Sequence, residues 1–249
     1  MISNKSRRYM LCVVPATVGL LALSSRGFAQ CPIPANEFTP DPRFTSEFLL
    51  GRCTFKTEGR NPYFILQPGY RIVLESEEEK VRITVLDETE VVNGVETRVV
   101  EEREWEKDGD ELILDEVSRN FVAICKETNS VVYFGEDVVD GEGNPLPDGW
   151  RAGRDGARPG LLMPGTILLG SRYYQEIAPE NSALDKGQIV KMQDECKVGG
   201  RDFKDCVTIH DTTDCDPDEK DPKIYAKDVG LVKDEDLEVV RYGFVNQGQ

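Results

Sequence analysis

The chain has 249 residues, of which 46 are acidic and 30 are basic, so its formal net charge is −16. A field of this sign repels nucleic acid and anionic lipid, and it favours cationic partners or calcium unless it serves solubility alone. We therefore expect no nucleic-acid partner. The length suffices for one large β domain or two small ones.

The first thirty residues have the pattern of a secretory signal peptide. A positive segment, residues 5–8, precedes an apolar segment, residues 10–23, and the small residues Gly27 and Ala29 suit a cleavage site. The apolar segment is too short for a convincing membrane span. We predict that residues 1–29 are removed and that the protein is exported, periplasmic or secreted, and soluble. The mature chain then has 26 basic and 46 acidic residues, a net charge of −20.

Six cysteines remain in the mature chain, and an even number in an oxidising compartment favours disulfides. Their connectivity is open from sequence alone. One set, suggested mainly by sequence proximity, joins Cys31 to Cys53, Cys196 to Cys215 and Cys125 to Cys206. A zinc site is disfavoured because there is no Cys-x-x-Cys pair and only one histidine. A lipid anchor on Cys31 is not expected, since Gln30 stands where a lipoprotein signal needs a small residue.

Residues 30–60 lack a steady periodicity and are expected to form an irregular arm before an antiparallel β domain, residues 61–249. Beyond the arm, apolar and polar residues alternate, which is typical of strands with one buried face. Asn93-Gly94 separates two such runs and tolerates the positive φ of a type I′ turn, so it predicts a hairpin. Charged residues are expected to fill the outward positions of the strand at 101–106, so that one face of the sheet is solvated there.

Further short strands follow through turns at residues 107–110 and 129–130, which predicts an antiparallel meander. Residues 140–164 are rich in glycine and proline and are expected to form a long loop. A sheet of roughly eight to ten strands must curl to protect its edges. The predicted fold is therefore mainly β, a single curved antiparallel sheet in the form of a half-barrel or open barrel.

Six segments carry a likeness to known proteins: Asn61-Pro62-Tyr63-Phe64, Tyr133-Phe134-Gly135-Glu136-Asp137, Trp150-Arg151-Ala152-Gly153, Gly156-Ala157-Arg158-Pro159-Gly160, Met163-Pro164-Gly165 and Tyr173-Tyr174-Gln175-Glu176. They resemble a family of exported bacterial proteins of uncharacterised activity. The resemblance covers most of the mature chain and implies no particular activity. Residues 225–232 are also similar to the last hairpin of half-barrel lipoprotein-carrier proteins, which implies a curved sheet with an apolar concave face.

The region around the predicted loop holds the candidate ligand-binding residues. They are Trp150, Arg151, Arg158, Tyr173, Tyr174 and Glu176. If the loop folds over one end of the sheet, these aromatic rings and guanidiniums would line a pocket for an anionic or amphipathic ligand. In the alternative interpretation, Trp150 fills the core and the arginines pair with surface carboxylates.

Metal and cofactor sites are not expected. The acidic segments 137–144 and 210–219 could offer oxygen ligands to calcium, but the second lacks EF-hand spacing, and charge runs of this kind are usually solvated loops. His210 is the only histidine, and no Gly-x-Ser-x-Gly motif is present, so Ser-His-Asp catalysis is not expected.

These observations predict an exported, non-enzymatic protein that binds an apolar or amphipathic small molecule, or a protein partner. One alternative is a hydrolase that uses Glu176 or Asp137 as a general base. Another is a calcium-dependent interaction module. A hydrolase would show carboxyls of raised pKa in a cleft, whereas a carrier would show an apolar concavity.

Overall fold

The computed structural model describes residues 31–245 apart from Asp110, Pro217 and Glu219. The predicted signal peptide lies outside the described residues. The strands are β1 (Phe55–Lys56), β2 (Gly59–Asn61), β3 (Phe64–Leu66), β4 (Tyr70–Glu75), β5 (Glu79–Val92), β6 (Val95–Asp108), β7 (Glu111–Cys125), β8 (Val131–Asp140), β9 (Trp150–Arg151), β10 (Gly160–Met163), β11 (Arg172–Tyr174), β12 (Asp185–Val198), β13 (Arg201–Thr213), β14 (Asp221–Ala226), β15 (Gly230–Asp234) and β16 (Leu237–Phe244). Two short 3₁₀ helices span Leu50–Arg52 and Pro179–Asn181.

Within the described residues, fourteen strands form one antiparallel sheet, in the order β10-β8-β7-β6-β5-β4-β16-β15-β14-β13-β12-β11, with β1 beside β7 and β9 beside β8. Strands adjacent in sequence are mostly adjacent in space, because short turns join them. The sheet is not closed, although its ends approach each other: the backbone N–H of Arg158 donates to the carbonyl of Ile177 at 2.8 Å. The predicted fold class, a large open antiparallel sheet, is confirmed.

The turn residues explain the long β5–β6 hairpin. Asn93 and Gly94 have φ values of 49° and 77°, and Val92 pairs with Val95. This is the left-handed conformation that a type I′ turn requires, and asparagine and glycine reach it at low cost. The hairpin predicted at this dipeptide is confirmed.

The glycine- and proline-rich segment, residues 140–164, is not simply a loop, because β9 and β10 lie within it. Gly160 is the reason that β10 can approach the far end of the sheet. A Cβ at this position would lie 2.0 Å from the backbone oxygen of Gln175. Glycine therefore permits the two ends of the strand order to come together.

The sheet has a buried inner face and a more polar outer face. Cross-strand partners in an antiparallel pair share a face. Glu102 pairs with Ile83 and with Ser118, all three are buried, and Glu104 lies two residues further along the same face. The outward positions 101 and 103 are charged, as predicted, but the inward positions 102 and 104 are acidic as well, since the strand period of two turns alternate residues inward.

One end of the inner face is apolar. The hairpin of β2 and β3 covers it, placing Tyr63, Phe64 and Ile65 against Ile83 and Val100. These side chains leave a cavity of about 20 Å³. Such a space holds about one water molecule, so this end is mostly filled by protein.

Three disulfides join Cys31 to Cys215, Cys53 to Cys125 and Cys196 to Cys206. The expectation that all six cysteines form disulfides is confirmed, but the pairing suggested by sequence proximity is wrong. The arm crosses from the β13–β14 connection to β7. Its two cysteines therefore pair with Cys215 and Cys125 instead of with each other. Three disulfides fit an oxidising environment.

In the part of the chain that the structure describes, no helix is both long and apolar enough to span a bilayer.

Candidate functional site: the acidic inner face

The inner face changes from apolar to acidic along its strands. On β6, Val100 belongs to the apolar end, and Glu102 and Glu104 occupy the next two inward positions. Other strands and connections add more carboxyls to the same face. Each of these carboxyls lies close enough to another ionisable group of the face to influence its pKa. We call this set the acidic inner face: Glu102, Glu104, Glu116, Glu136, Glu176, Asp185, Asp211 and Asp234, together with Lys223.

Lys223 is the buried cation of this face. Its Nζ lies 3.2 Å from Asp211 Oδ2 and 3.3 Å from Asp234 Oδ2, and all three residues are buried. Burial alone would lower the pKa of Lys223, but the two carboxylates outweigh burial and raise this pKa well above its ordinary value. The ammonium group is therefore ionised, and it compensates two of the buried acids.

Several of the other carboxyls are protonated near neutral pH. Burial raises the pKa of Glu136 to about 8 and the pKa values of Glu116 and Asp185 to about 7. Burial also raises the pKa values of Glu102 and Glu176. Glu136, Glu116 and Asp185 are only half-buried, so solvent reaches this part of the inner face. Glu136, Glu116 and Asp185 can therefore exchange protons near neutral pH.

Seven buried polar atoms on or beside this face lack a well-formed hydrogen bond: Glu102 Oε2, Trp150 Nε1, Tyr173 OH, Gln175 Oε1, Glu176 Oε1 and the two carboxyl oxygens of Asp211, which lie beside Lys223. A buried polar group without a partner costs about 1–3 kcal/mol, so native proteins keep few of them. Six of the seven atoms are oxygens, and the carboxyl oxygens among them accept hydrogen bonds when they are ionised. With its carboxyls ionised, the face is therefore suited to a ligand that donates hydrogen bonds.

A short chain of contacts positions the indole. Trp150 pairs with Glu136 in the register between β8 and β9. Its ring meets Tyr133 edge to face at 5.3 Å, and the Tyr133 hydroxyl donates a hydrogen bond to Asn120 Oδ1. The indole N–H also lies close enough to the Glu176 carboxyl for a weak hydrogen bond, which lowers the pKa of Glu176, although burial outweighs this effect and raises that pKa. Packing thus holds the Trp150 N–H within the interior.

The structure brings three of the six predicted ligand-binding residues to the inner face. They are Trp150, Tyr173 and Glu176, exposed by 3%, 2% and 3%. Tyr173 lies opposite Gly187, and a Cβ on Gly187 would come 3.0 Å from the tyrosine ring. The missing side chain at Gly187 therefore makes room for the ring of Tyr173 on the inner face.

The two arginines lie elsewhere and are engaged by carboxylates. Arg151 pairs with Glu90 at 2.9 Å and with Asp137 at 2.5 Å, and its guanidinium lies 4.4 Å from the centroid of the Phe121 ring. Arg158 forms an exposed ion pair with Glu47. Neither arginine faces the acidic interior, which agrees with the alternative interpretation that they pair with surface acids.

Tyr174 is the sixth predicted residue, and it lies beneath the arm. Its hydroxyl donates to Asp214 Oδ2 at 2.6 Å and accepts from the backbone N–H of Asp41 at 2.7 Å. Lys186 also pairs with Asp214, and its Nζ lies 4.9 Å from the centroid of the Phe44 ring. These contacts fasten the arm to the sheet.

Asp140 and Asp214, one in each of the two acidic segments considered for calcium, are engaged in local contacts. Asp140 accepts hydrogen bonds from the backbone N–H groups of Glu142 and Asn144, which shapes a turn. Asp214 is bonded to Lys186 and Tyr174. Among the described residues, one group has ligand atoms close enough for a metal, and it consists of the disulfide-bonded Cys53 and Cys125 with Glu127.

Sequence reasoning missed most of the acidic inner face. Composition gives no sign that Glu102, Asp185, Asp211 and Lys223 are buried, because charged residues are mostly exposed. A usable signal is the strand period: Glu102 and Glu104 continue the inward series that begins with Val100.

Comparison with models of protein families, with curated proteins and with solved structures finds no match for this chain.

Proposed function

We propose that the chain is an exported, non-enzymatic binding protein whose inner face takes a small amphipathic cation, such as an alkylammonium ion. The observation that carries the proposal is the set of unpartnered, buried polar atoms on a face with eight carboxyls and one lysine. An ammonium group donates hydrogen bonds to oxygen acceptors. Its positive charge would compensate the carboxylates that Lys223 does not compensate.

The neighbouring apolar end supports the amphipathic character of the ligand. Val100 and Glu102 are inward positions two residues apart on β6, and a strand rises about 6–7 Å over two residues. A molecule of a few carbon atoms can therefore reach both surfaces. The cavity at the apolar end is about 20 Å³, so an alkyl chain longer than about one or two carbon atoms would have to displace the β2–β3 hairpin that covers this end.

Export is part of the proposal. The first thirty residues carry the signal-peptide pattern, and three disulfides fit an oxidising compartment. In that setting a concave acidic face would collect a cationic metabolite from the medium around the cell.

The test is calorimetric titration of the mature protein with hexylammonium, hexanoate and hexanol, which share one chain length. We expect hexylammonium to bind and the other two not to bind. Glu176→Gln is expected to weaken binding about tenfold or more, because one charge-assisted hydrogen bond contributes about 1.5–3 kcal/mol. The matched control is Glu142→Gln, at an exposed position in the β8–β9 connection. Equal affinity for the three probes would contradict the proposal.

The pH dependence gives a second readout. In the unliganded protein the acidic inner face retains protons up to about pH 7–8. A bound cation favours the ionised carboxylates, so binding releases protons and tightens as the pH rises through this window. Affinity that is constant from about pH 5 to about pH 8 would contradict the assigned site.

One observation favours a second function, an acid–base hydrolase. Carboxyls of raised pKa, including Glu136 at about 8, lie beside an indole and a tyrosine in an enclosed face, and such groups serve as general acids. Of the bases predicted from sequence, Asp137 lies on the outer face in an ion pair with Arg151, so Glu176 is the better candidate. Turnover of chromogenic esters or glycosides that disappears in Glu176→Gln and persists in Asp137→Asn would establish this function instead.

A further inference from the structure

The outer face carries a group of arginines at the centre of the sheet. In the register of β16, β4, β5 and β6, Arg241 pairs with Val73, Val73 with Arg82, and Arg82 with Arg103. Arg71 lies two residues from Val73 on the same face of β4. We call these four residues the arginine patch: Arg71, Arg82, Arg103 and Arg241.

Only one member of the patch has a carboxylate partner among the described residues. Arg103 donates to Glu101 at 2.7 Å. Arg71 donates through Nε to the Thr84 hydroxyl at 3.0 Å. The Nε of Arg82 is buried without a hydrogen-bond partner. Within the described part of the chain, Arg71, Arg82 and Arg241 therefore make no direct ion pair, although the Glu101 carboxylate lies close enough to Arg82 to influence its pKa.

The position of Arg82 is held by an aromatic ring. Its guanidinium carbon lies 5.0 Å from the centroid of the Trp105 ring, which is a cation–π contact. Burial lowers the pKa of Arg82, the neighbouring charges of Arg71 and Arg103 lower it further, and the Glu101 carboxylate opposes them. Like charges on adjacent strands destabilise a sheet, so this grouping costs stability when the patch is empty.

We propose that the arginine patch is a binding site for a phosphate ester. Guanidinium groups present planar forks of N–H donors that match phosphate oxygens in bidentate geometry. Arg82 is flanked by Arg71 and Arg103, and Arg241 lies across β4 from it, so an oxyanion bound at Arg82 has guanidiniums on both sides, of which that of Arg103 is already engaged by Glu101. The patch faces away from the acidic interior, so it is independent of the proposed cation site.

The experiment is calorimetric titration of the mature protein with tripolyphosphate at low ionic strength. Arg82→Gln is expected to weaken binding about tenfold, through the loss of one charge-assisted contact. Arg241→Gln, at an exposed position, is expected to weaken it by a smaller factor. The matched control is Arg154→Gln, an exposed arginine in the β9–β10 connection, and it should leave affinity unchanged.

Two outcomes would overturn the proposal: no binding of tripolyphosphate, or equal affinity in Arg82→Gln and wild type. A second experiment distinguishes a lipid headgroup from a soluble phosphate ester. It is sedimentation of the protein with phosphatidylcholine vesicles that contain or lack phosphatidylglycerol. Co-sedimentation that requires phosphatidylglycerol and Arg82 identifies a lipid headgroup. Binding of tripolyphosphate alone identifies a soluble phosphate ester.

Discussion

The inner and outer faces of the sheet carry charged residues at neighbouring positions of the same strands. On the outer face several of these residues form ion pairs, whereas on the inner face several of the described residues are buried without a partner. On β6, Glu101 points outward and pairs with Arg103 at 2.7 Å, whereas Glu102 points inward and retains an unpartnered oxygen. Surface ion pairs contribute little to stability, about 0–1 kcal/mol each. Buried unpartnered acids are costly, and a protein keeps them where a ligand or a reaction needs them. A function is therefore expected at the inner face.

The largest expected effect comes from removing the buried cation. Lys223→Met should lower the free energy of unfolding by about 3–5 kcal/mol at neutral pH, because Asp211 and Asp234 lose the charge that compensates them. Urea denaturation measures this change. The matched control is Lys227→Met, whose exposed partner is Asp205 at 3.1 Å, and it should cause no measurable change. Similar losses in the two variants would remove the distinction between the faces.

The next effect is a stability that falls as the pH rises. The folded state holds the Glu136 proton up to about pH 8, whereas the unfolded chain releases it near its ordinary value of 4.5. The folded state thus binds more protons between these limits, so this contribution is complete below about pH 4.5 and is lost by about pH 8. Allowing for screening at a half-buried position, we expect a loss of about 2 kcal/mol across the window.

Glu136→Gln tests the origin of this slope. The variant keeps the shape of the side chain but cannot ionise, so its stability should depend less on pH and should exceed wild type near pH 8. Thermal denaturation at a series of pH values measures both features. The control is Glu142→Gln, which should retain the wild-type slope, and a Glu136→Gln profile parallel to wild type would assign the slope to other groups.

The smallest effects concern the arginines that the sequence pointed to as ligands. Arg151→Gln should lower the free energy of unfolding by about 1 kcal/mol, since it removes a half-exposed ion pair and the contact with Phe121. Arg158→Gln should produce no measurable change, because its ion pair is exposed. Both variants should bind hexylammonium as wild type does. A tenfold loss of affinity in either one would place the ligand outside the acidic inner face.

Local features were readable from the sequence. Alternating residues indicated strands, and Asn93-Gly94 indicated the central hairpin, because both signals depend on neighbouring residues alone. The presence of disulfides also followed from composition. Of the predicted site, Trp150, Tyr173 and Glu176 lie on the inner face, where aromatic and acidic residues near a glycine-rich segment had suggested a pocket.

Relations between distant segments needed the tertiary structure. Cys31 and Cys215 are 184 residues apart, and only the path of the arm across the sheet brings them together. Glu102 and Glu101 are chemically alike, so composition cannot tell which faces the interior; the register with Ile83 decides it. The sequence by itself determined the β class, the turns and the acidic balance. The tertiary structure decided which charges are buried together, because burial depends on strands that meet only when the sheet assembles.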